Sequence, residues 1–132
     1  MKVKIFYHHT DCGGVVYYAN YLKFLEEART GYFEERGLFI KDLEAQGILF
    51  VVARQEIDYK LPAVYGDILE VKTSVSEITG VKMWFENELR NQNNQLIAKA
   101  RTLLVCIDKA FKPSPIPDEV RMKLALQQIK GV

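Results

Sequence analysis

A short segment near the N-terminus, HHTDCGG at residues 8–14, places two histidines, an aspartate and a cysteine directly before two glycines. Asp11 is the member best suited to chemistry, because a carboxylate that is ionised at neutral pH can attack an electrophilic carbon or take a proton from water. An aspartate before Gly13 and Gly14 can equally be an ordinary turn or helix-capping residue. The spacing alone leaves both roles open.

The histidines and the cysteine suggest two further kinds of site. His-His-x-Asp-Cys contains metal-ligand types, but the chain has only two histidines and adjacent strand residues point to opposite faces, so we expect no metal site. Cys12 could be a nucleophile with His9 as its base, although the neighbouring Asp11 carboxylate disfavours a thiolate. We expect one histidine to be solvated and the other to support the site by hydrogen bonding.

Hydrophobic periodicity predicts the elements that position this segment. Residues 2–8 alternate as a short strand that places Tyr7 on the same face as Ile5. Apolar residues at spacings of three and four predict a long helix over about 18–36, with Arg29 on a polar face and Gly37 as its stop. The remaining predicted elements are a short helix, four long strands and a terminal helix, at 38–46, 49–60, 67–77, 81–90, 96–107 and 118–130.

The four long runs alternate with a period of two, which predicts one antiparallel sheet with one face on the core. In residues 49–60 the predicted inward set is Leu49, Val51, Ala53, Ile57 and Tyr59. The outward set includes three apolar residues, Trp84, Leu103 and Val105. These three form either a subunit contact or isolated surface positions. The chain as a whole, residues 1–132, is predicted to be one α+β domain.

Composition narrows the class of protein. The 132 residues carry 18 Lys and Arg against 17 Asp and Glu, a net charge of +1 that argues against non-specific nucleic-acid binding. No apolar run approaches the roughly 20 residues that span a bilayer, and the N-terminus has no signal-peptide pattern. Cys12 and Cys106 form no spacing motif, so we expect a reduced, cytoplasmic protein.

The order of elements and one motif resemble a known family. The motif is Asp-x-x-Gly-x-Val-Tyr beginning at Asp11, with Tyr21 downstream and Glu27-Ala28-Arg29 on the helix. It resembles the hotdog-fold acyl-CoA thioesterases of the 4-hydroxybenzoyl-CoA thioesterase-like family along nearly the whole chain. The resemblance implies a long central helix wrapped by one antiparallel sheet of about five strands, plus a C-terminal helix.

The same resemblance implies how such a protein works. It implies an obligate homodimer, often paired into a homotetramer, with active sites at the dimer interface and no metal or organic cofactor. Asp11 matches the catalytic carboxylate of the family. Many bacterial relatives have a histidine where this chain has Tyr18, so any role of that histidine does not carry over and the substrate preference stays open.

The residues after Asp11 are candidates for binding the substrate. Gly14 lets the backbone pass close to a ligand. Val16, Tyr17 and Tyr18 are candidates through their backbone amides, because the first amides of a helix are unpaired within it and can stabilise a developing oxyanion. We expect Glu27 to make an internal ion pair or hydrogen bond, with Arg29 or with a loop amide.

The predicted activity is therefore hydrolysis of acyl-CoA to the free acid and CoA, with Asp11 as nucleophile or general base. One alternative is a module that binds acyl-CoA or acyl carrier protein without hydrolysis. Another is a hotdog dehydratase acting on 3-hydroxyacyl thioesters, for which His8 or His9 is the only source of the histidine.

Overall fold

A long helix packed on one antiparallel sheet forms the frame of the molecule. The computed structural model describes the backbone of residues 1–130 and the side chains of residues 1–124. Its helices are α1 (Asn20–Glu35), α2 (Ile40–Ala45) and α3 (Asp118–Lys130). Its strands are β1 (Lys2–Lys4), β2 (Leu49–Tyr59), β3 (Ile68–Ile78), β4 (Lys82–Arg90) and β5 (Leu96–Ile107), in the sheet order β1-β3-β4-β5-β2. The predicted α+β class, with five strands and a C-terminal helix, is confirmed.

Helix α1 buries the apolar stripe that its sequence predicts. The buried apolar residues of this helix are Tyr21, Phe24, Leu25, Ala28, Tyr32 and Phe33. They divide between two clusters of core residues: Leu25 and Ala28 belong to the first, which contacts the beginning of β3, and Phe33 belongs to the second, which contains Phe85 of β4. The long helix therefore spans both halves of the core.

A layer of polar side chains lies where the two clusters meet. Each of the strands β2 to β5 contributes one member, and α1 contributes the fifth; they are Gln55, Thr73, Asn87, Thr102 and Arg29. The amide of Asn87 donates to Thr73 Oγ1 over 2.8 Å, and the Thr102 hydroxyl donates to Gln55 Oε1 over 2.9 Å. Arg29 Nη1 donates to Thr102 Oγ1 over 3.5 Å. Arg29 is 8% exposed, so its predicted place on a polar face is wrong.

The hydroxyl of Thr102 is expected to matter for stability because its residue is fully buried and the hydroxyl bonds two of these polar groups. We expect Thr102→Val, which keeps the shape, to lower the free energy of unfolding by about 1–3 kcal/mol, since it leaves buried polar atoms unpaired. Urea denaturation measures the change. The matched control is Thr30→Val, whose hydroxyl bonds Glu26 at the surface; equal losses in the two variants would contradict the importance of the buried layer.

The N-terminal strand is shorter than its alternation predicts. It ends at Lys4, and a 3₁₀ turn covers Tyr7–His9. There the Phe6 amide donates to His9 Nδ1 over 2.9 Å, and the Thr10 hydroxyl donates to the Tyr7 carbonyl over 2.7 Å. These local side-chain bonds replace the ladder bonds that would extend a strand. Ile5 is fully buried but Tyr7 is 78% exposed, so the predicted alternation does not continue to Tyr7.

Strand β2 also departs from its predicted alternation. The register shifts between Val52 and Arg54, which is a β-bulge. Because a bulge changes which residues face inward, the side chain of Phe50 packs on the core while Val51 is 40% exposed. The inward positions predicted for Val51 and Ala53 are therefore wrong, whereas Ile57, beyond the bulge, packs against the core as predicted.

The outer face of the sheet carries charged side chains and the three outward apolar residues. Trp84, Leu103 and Val105 are half-buried, and the Arg101 guanidinium lies 4.2 Å from the centre of the Trp84 ring. A groove of about 720 Å³ crosses this face and is lined by charged residues that include Lys72, Glu88, Lys99, Asp58 and Glu86. None of the predicted site residues lines this groove. Within the described residues, no helix is long and apolar enough to cross a bilayer.

Candidate active site

Asp11 lies on an exposed glycine turn. Its Oδ1 accepts the Gly13 amide over 2.8 Å, and its carbonyl accepts the Gly14 amide over 3.1 Å. A Cβ at Gly13 would lie 3.2 Å from Asp11 Oδ1, and Gly14 has a φ of 80°, so the turn favours glycine at both positions. In the described part of the chain Oδ2 accepts no hydrogen bond. The turn role is thus present, and it leaves one carboxylate oxygen open to solvent.

A neighbouring loop braces this turn. The Val16 amide donates to the Ala63 carbonyl over 2.8 Å, and Val15 forms an isolated bridge with Val64. Asp67, which is 8% exposed, holds the loop by accepting the Val64 amide over 2.9 Å through Oδ2. The position of Asp11 is therefore fixed by residues 63–67, about fifty residues away in the sequence.

The three predicted amide donors differ in availability. The Val16 amide is bonded to Ala63, and the Tyr17 amide donates to the His9 carbonyl over 2.9 Å, so neither is free to bind a ligand. The amide of Tyr18 has no acceptor among the residues that the structure describes. It lies in the turn that leads into α1, whose N-cap residue, Ala19, provides no side-chain hydrogen bond. Tyr18 is thus the candidate that retains an open donor.

Tyrosine side chains surround this amide. Tyr18 is 62% exposed, and its ring contacts those of Tyr17 and Tyr59, with centroids 4.9 and 6.5 Å away. The pKa of Tyr17 is raised mainly by Tyr18, and the Asp11 carboxylate adds a smaller contribution, which places Asp11 within electrostatic range of this pair. Burial raises the pKa of Tyr21 to about 12, so its phenol stays neutral.

Tyr59 is a candidate site residue that the sequence did not reveal. Its hydroxyl donates to the Tyr18 carbonyl over 3.1 Å and so holds the residue whose amide is open. Alternation predicted that Tyr59 faces inward, which is wrong because the residue is 48% exposed. It did not predict that the end of β2 meets the start of α1. No local pattern contains that information, because 41 residues separate the two tyrosines.

The histidines and the cysteine have other surroundings than a nucleophile or metal site requires. His9 Nδ1 accepts the Phe6 amide over 2.9 Å, so its proton lies on Nε2 and the ring is not a free base for Cys12. Among the described residues, no three His, Cys, Asp or Glu side chains are placed to hold a metal ion. His9 is thus the supporting histidine, and His8 is exposed.

The structure does not bring Glu27 and Arg29 together as predicted. Glu27 is exposed, and the hydrogen bond of Arg29 goes to Thr102. Within the described residues no carboxylate lies within ion-pair distance of Arg29, whose pKa is lowered by burial despite the opposing effect of Glu26. The prediction fails because residues two apart on a helix point to different faces, here Arg29 toward the sheet and Glu27 toward solvent.

Protonation of His9 should weaken the fold in mild acid. Burial, followed by His8, lowers the pKa of His9 below its ordinary 6.5; Glu27 opposes this and Lys23 adds to it. The unfolded chain therefore binds a proton first as pH falls, and stability that is full above 6.5 decreases below it. We therefore expect the melting temperature to be lower at about pH 5.5 than at about pH 7.5.

The variant His9→Asn isolates this effect. An asparagine oxygen can accept the Phe6 amide in place of Nδ1 and does not titrate, so the drop in melting temperature should be smaller than in the wild type. His8→Asn is the matched control and should keep most of the drop. An unchanged pH dependence in His9→Asn would contradict the assignment.

Comparisons with known proteins match this chain to thioesterases. The model of the thioesterase-like superfamily matches residues 7–124. The chain is 40% identical to the acyl-CoA thioesterase YbgC of Haemophilus influenzae over 121 residues, covering 90% of this chain and 88% of that one. It is 33% identical to the long-chain acyl-CoA thioesterase FadM of Escherichia coli over 125 residues, covering 93% and 94%. The structure of the DHNA-CoA thioesterase from Staphylococcus aureus superposes with a TM-score of 0.90 at 29% identity, covering 100% and 93%.

Proposed function

Because this chain belongs to the thioesterase-like superfamily, we propose that it is an enzyme that hydrolyses acyl-CoA thioesters to the free acid and CoA. The observation that supports the proposal most directly is that two groups within residues 11–18 are open. Asp11 Oδ2 is a carboxylate oxygen without a partner in the described part of the chain, and the Tyr18 amide is a donor without an acceptor there. Hydrolysis of a thioester uses both kinds of group: a carboxylate to attack the carbonyl carbon or activate water, and an N–H donor to stabilise the oxyanion.

The proposed reaction begins with the thioester carbonyl directed at the Tyr18 amide. Asp11 either attacks the carbonyl carbon or removes a proton from a water that attacks it. In both routes the carbonyl oxygen becomes an oxyanion that accepts the Tyr18 N–H. Collapse of this intermediate breaks the carbon–sulfur bond and releases CoA as the thiol after it takes up a proton. In the nucleophilic route water then hydrolyses the mixed anhydride on Asp11.

The proposal includes a second copy of the chain. Strand β2 ends the sheet, so one edge of its backbone has no neighbouring strand in the described chain, and Val52 at that edge is 51% exposed. An open apolar edge favours strand pairing between chains. A homodimer joined there, alone or paired into a tetramer, would build the acyl pocket next to the Tyr18–Tyr59 contact. The acyl donor is CoA or an acyl carrier protein.

The direct test is release of thiol from a panel of short-chain, medium-chain, long-chain and aromatic acyl-CoAs. We expect thiol to appear at a rate proportional to enzyme, with one class of acyl group preferred. Absence of release from the whole panel, together with thermal stabilisation by the same acyl-CoAs, would instead support the binding module.

The dehydratase alternative lacks support from the histidines. That chemistry needs a histidine and a carboxylate that face the substrate together. His9 Nδ1 is occupied by the Phe6 amide, and in the described residues neither histidine hydrogen bonds to a carboxylate. Formation of an enoyl product from a 3-hydroxyacyl thioester would reverse this assessment.

A further inference from the structure

The start of α1 has an asparagine that does not cap the helix. Asparagine is a preferred N-cap residue because its oxygen can accept one of the free first-turn amides. Here the N-cap position is Ala19, which makes no side-chain hydrogen bond, and Asn20 follows it. The Asn20 amide group turns back and donates from Nδ2 to the His9 carbonyl over 2.9 Å. The first turn of the helix therefore has no side-chain cap, and its Asn20 and Leu22 amides donate to the Tyr17 and Ala19 carbonyls instead.

The bond from Asn20 closes a small network around Tyr17. The His9 carbonyl also accepts the backbone amide of Tyr17 over 2.9 Å. The backbone amide of Asn20 donates to the Tyr17 carbonyl over 2.9 Å. Both peptide groups of Tyr17 are thus tied, one to His9 and one to Asn20. The peptide that carries the Tyr18 N–H is the same one that carries the Tyr17 carbonyl, so this network sets the direction of the open amide.

We infer that Asn20 is a positioning residue for catalysis, which acts by holding the Tyr18 amide in the direction of the thioester oxygen. The inference rests on the proposed function, because it presumes an oxyanion at that amide. Asn20 does not touch the reacting atoms. Its contribution is made through one hydrogen bond to His9 and one to Tyr17.

A purely structural role would have a different consequence. Asn20 is half-buried and belongs to the first turn of a helix, where alanine has the higher helix propensity. Replacing it with alanine removes one hydrogen bond but favours the helix, so the effect on stability should be small. A change in the orientation of the amide would instead appear in kcat, since the donor bonds the oxyanion more strongly than the bound thioester.

The test is a double-mutant cycle on acyl-CoA hydrolysis, with Asn20→Ala and with Tyr18→Pro, which lacks the backbone N–H. We expect Asn20→Ala to lower kcat about tenfold with little change in KM and in melting temperature. In the Tyr18→Pro background the same substitution should have almost no further effect, because the amide that it positions is gone. Leu22→Ala, an exposed residue of the same helical turn, is the control and should keep the wild-type kcat.

The outcomes separate the two proposals. A wild-type enzyme that releases no thiol overturns the proposed function. If the wild type is active, equal losses of kcat in both backgrounds, or an Asn20→Ala enzyme with wild-type kcat, would overturn the positioning role of Asn20 alone. Should Asn20→Ala fail to fold, Asn20→Ser serves in the cycle, and a loss of kcat that is independent of Tyr18→Pro again counts against the inference.

Discussion

Asp11→Asn should lose at least ~100-fold in turnover while keeping the fold, since general acid–base groups contribute about 10²–10⁴-fold. The structure explains why this substitution should change the chemistry of Asp11 without changing the turn. Asparagine retains Oδ1, which accepts the Gly13 amide over 2.8 Å, so the turn can persist. The new Nδ2 replaces Oδ2, the oxygen that has no partner within the described residues and that the proposed reaction uses. Thiol release measures the loss.

Two controls show whether the loss of turnover comes from Asp11 itself or from a change in the fold. The melting temperature of Asp11→Asn should stay near that of the wild type, because the glycine turn is intact. Asp42→Asn changes an exposed aspartate in the first turn of α2 and should keep wild-type turnover. Near-normal hydrolysis by Asp11→Asn would show that Asp11 is only the turn residue and would remove it from the mechanism.

The long helix and the sheet could be predicted from the sequence because hydrophobic periodicity shows which side of a helix or strand is buried. In α1 the spacing of Phe24, Leu25 and Ala28 identifies the stripe that packs on the sheet. In β4 the alternation of Met83, Phe85 and Leu89 identifies its inner face. Such patterns arise directly from the geometry of helix and strand, so they survive without knowledge of the neighbouring elements.

The predictions failed where a local hydrogen bond or a β-bulge interrupts the alternation of apolar and polar residues. Tyr7 has the spacing that would place it on the same strand face as Ile5, yet His9 Nδ1 accepts the Phe6 amide and the strand ends in a turn. In β2 a bulge between Val52 and Arg54 changes which face of the sheet the residues before it point to. Neither event has a marker in hydrophobicity, because each depends on one hydrogen bond or one unpaired residue rather than on burial.

The candidate site divides in the same way. Asp11 could be identified from its glycine turn and from the motif around it. The sequence could not predict which of the Val16, Tyr17 and Tyr18 amides stays without an acceptor in the described residues, because the three positions have no distinguishing pattern. The Val16 and Tyr17 amides are occupied by carbonyls of Ala63 and His9, which reach them only in the folded chain.

Removal of the open amide should have the second large effect. Asn20 N donates to the Tyr17 carbonyl over 2.9 Å, so residues 17–20 form a turn in which Tyr18 is the second residue. Ala19, with φ −73° and ψ −18°, fits the third position of a type I turn, and proline is favoured at the second. Tyr18→Pro should therefore keep the turn, yet it lacks the N–H. We expect kcat to fall about 10²–10³-fold, the loss that follows removal of one oxyanion donor.

Tyr18→Ala separates the amide from the ring. It removes the phenol and its contacts with Tyr17 and Tyr59 but retains the backbone N–H. Since Tyr18 is 62% exposed, we expect Tyr18→Ala to change KM more than kcat, whereas Tyr18→Pro should change kcat. Steady-state hydrolysis of one acyl-CoA by both variants measures the difference. Equal kcat values in the two variants would place the oxyanion donor elsewhere.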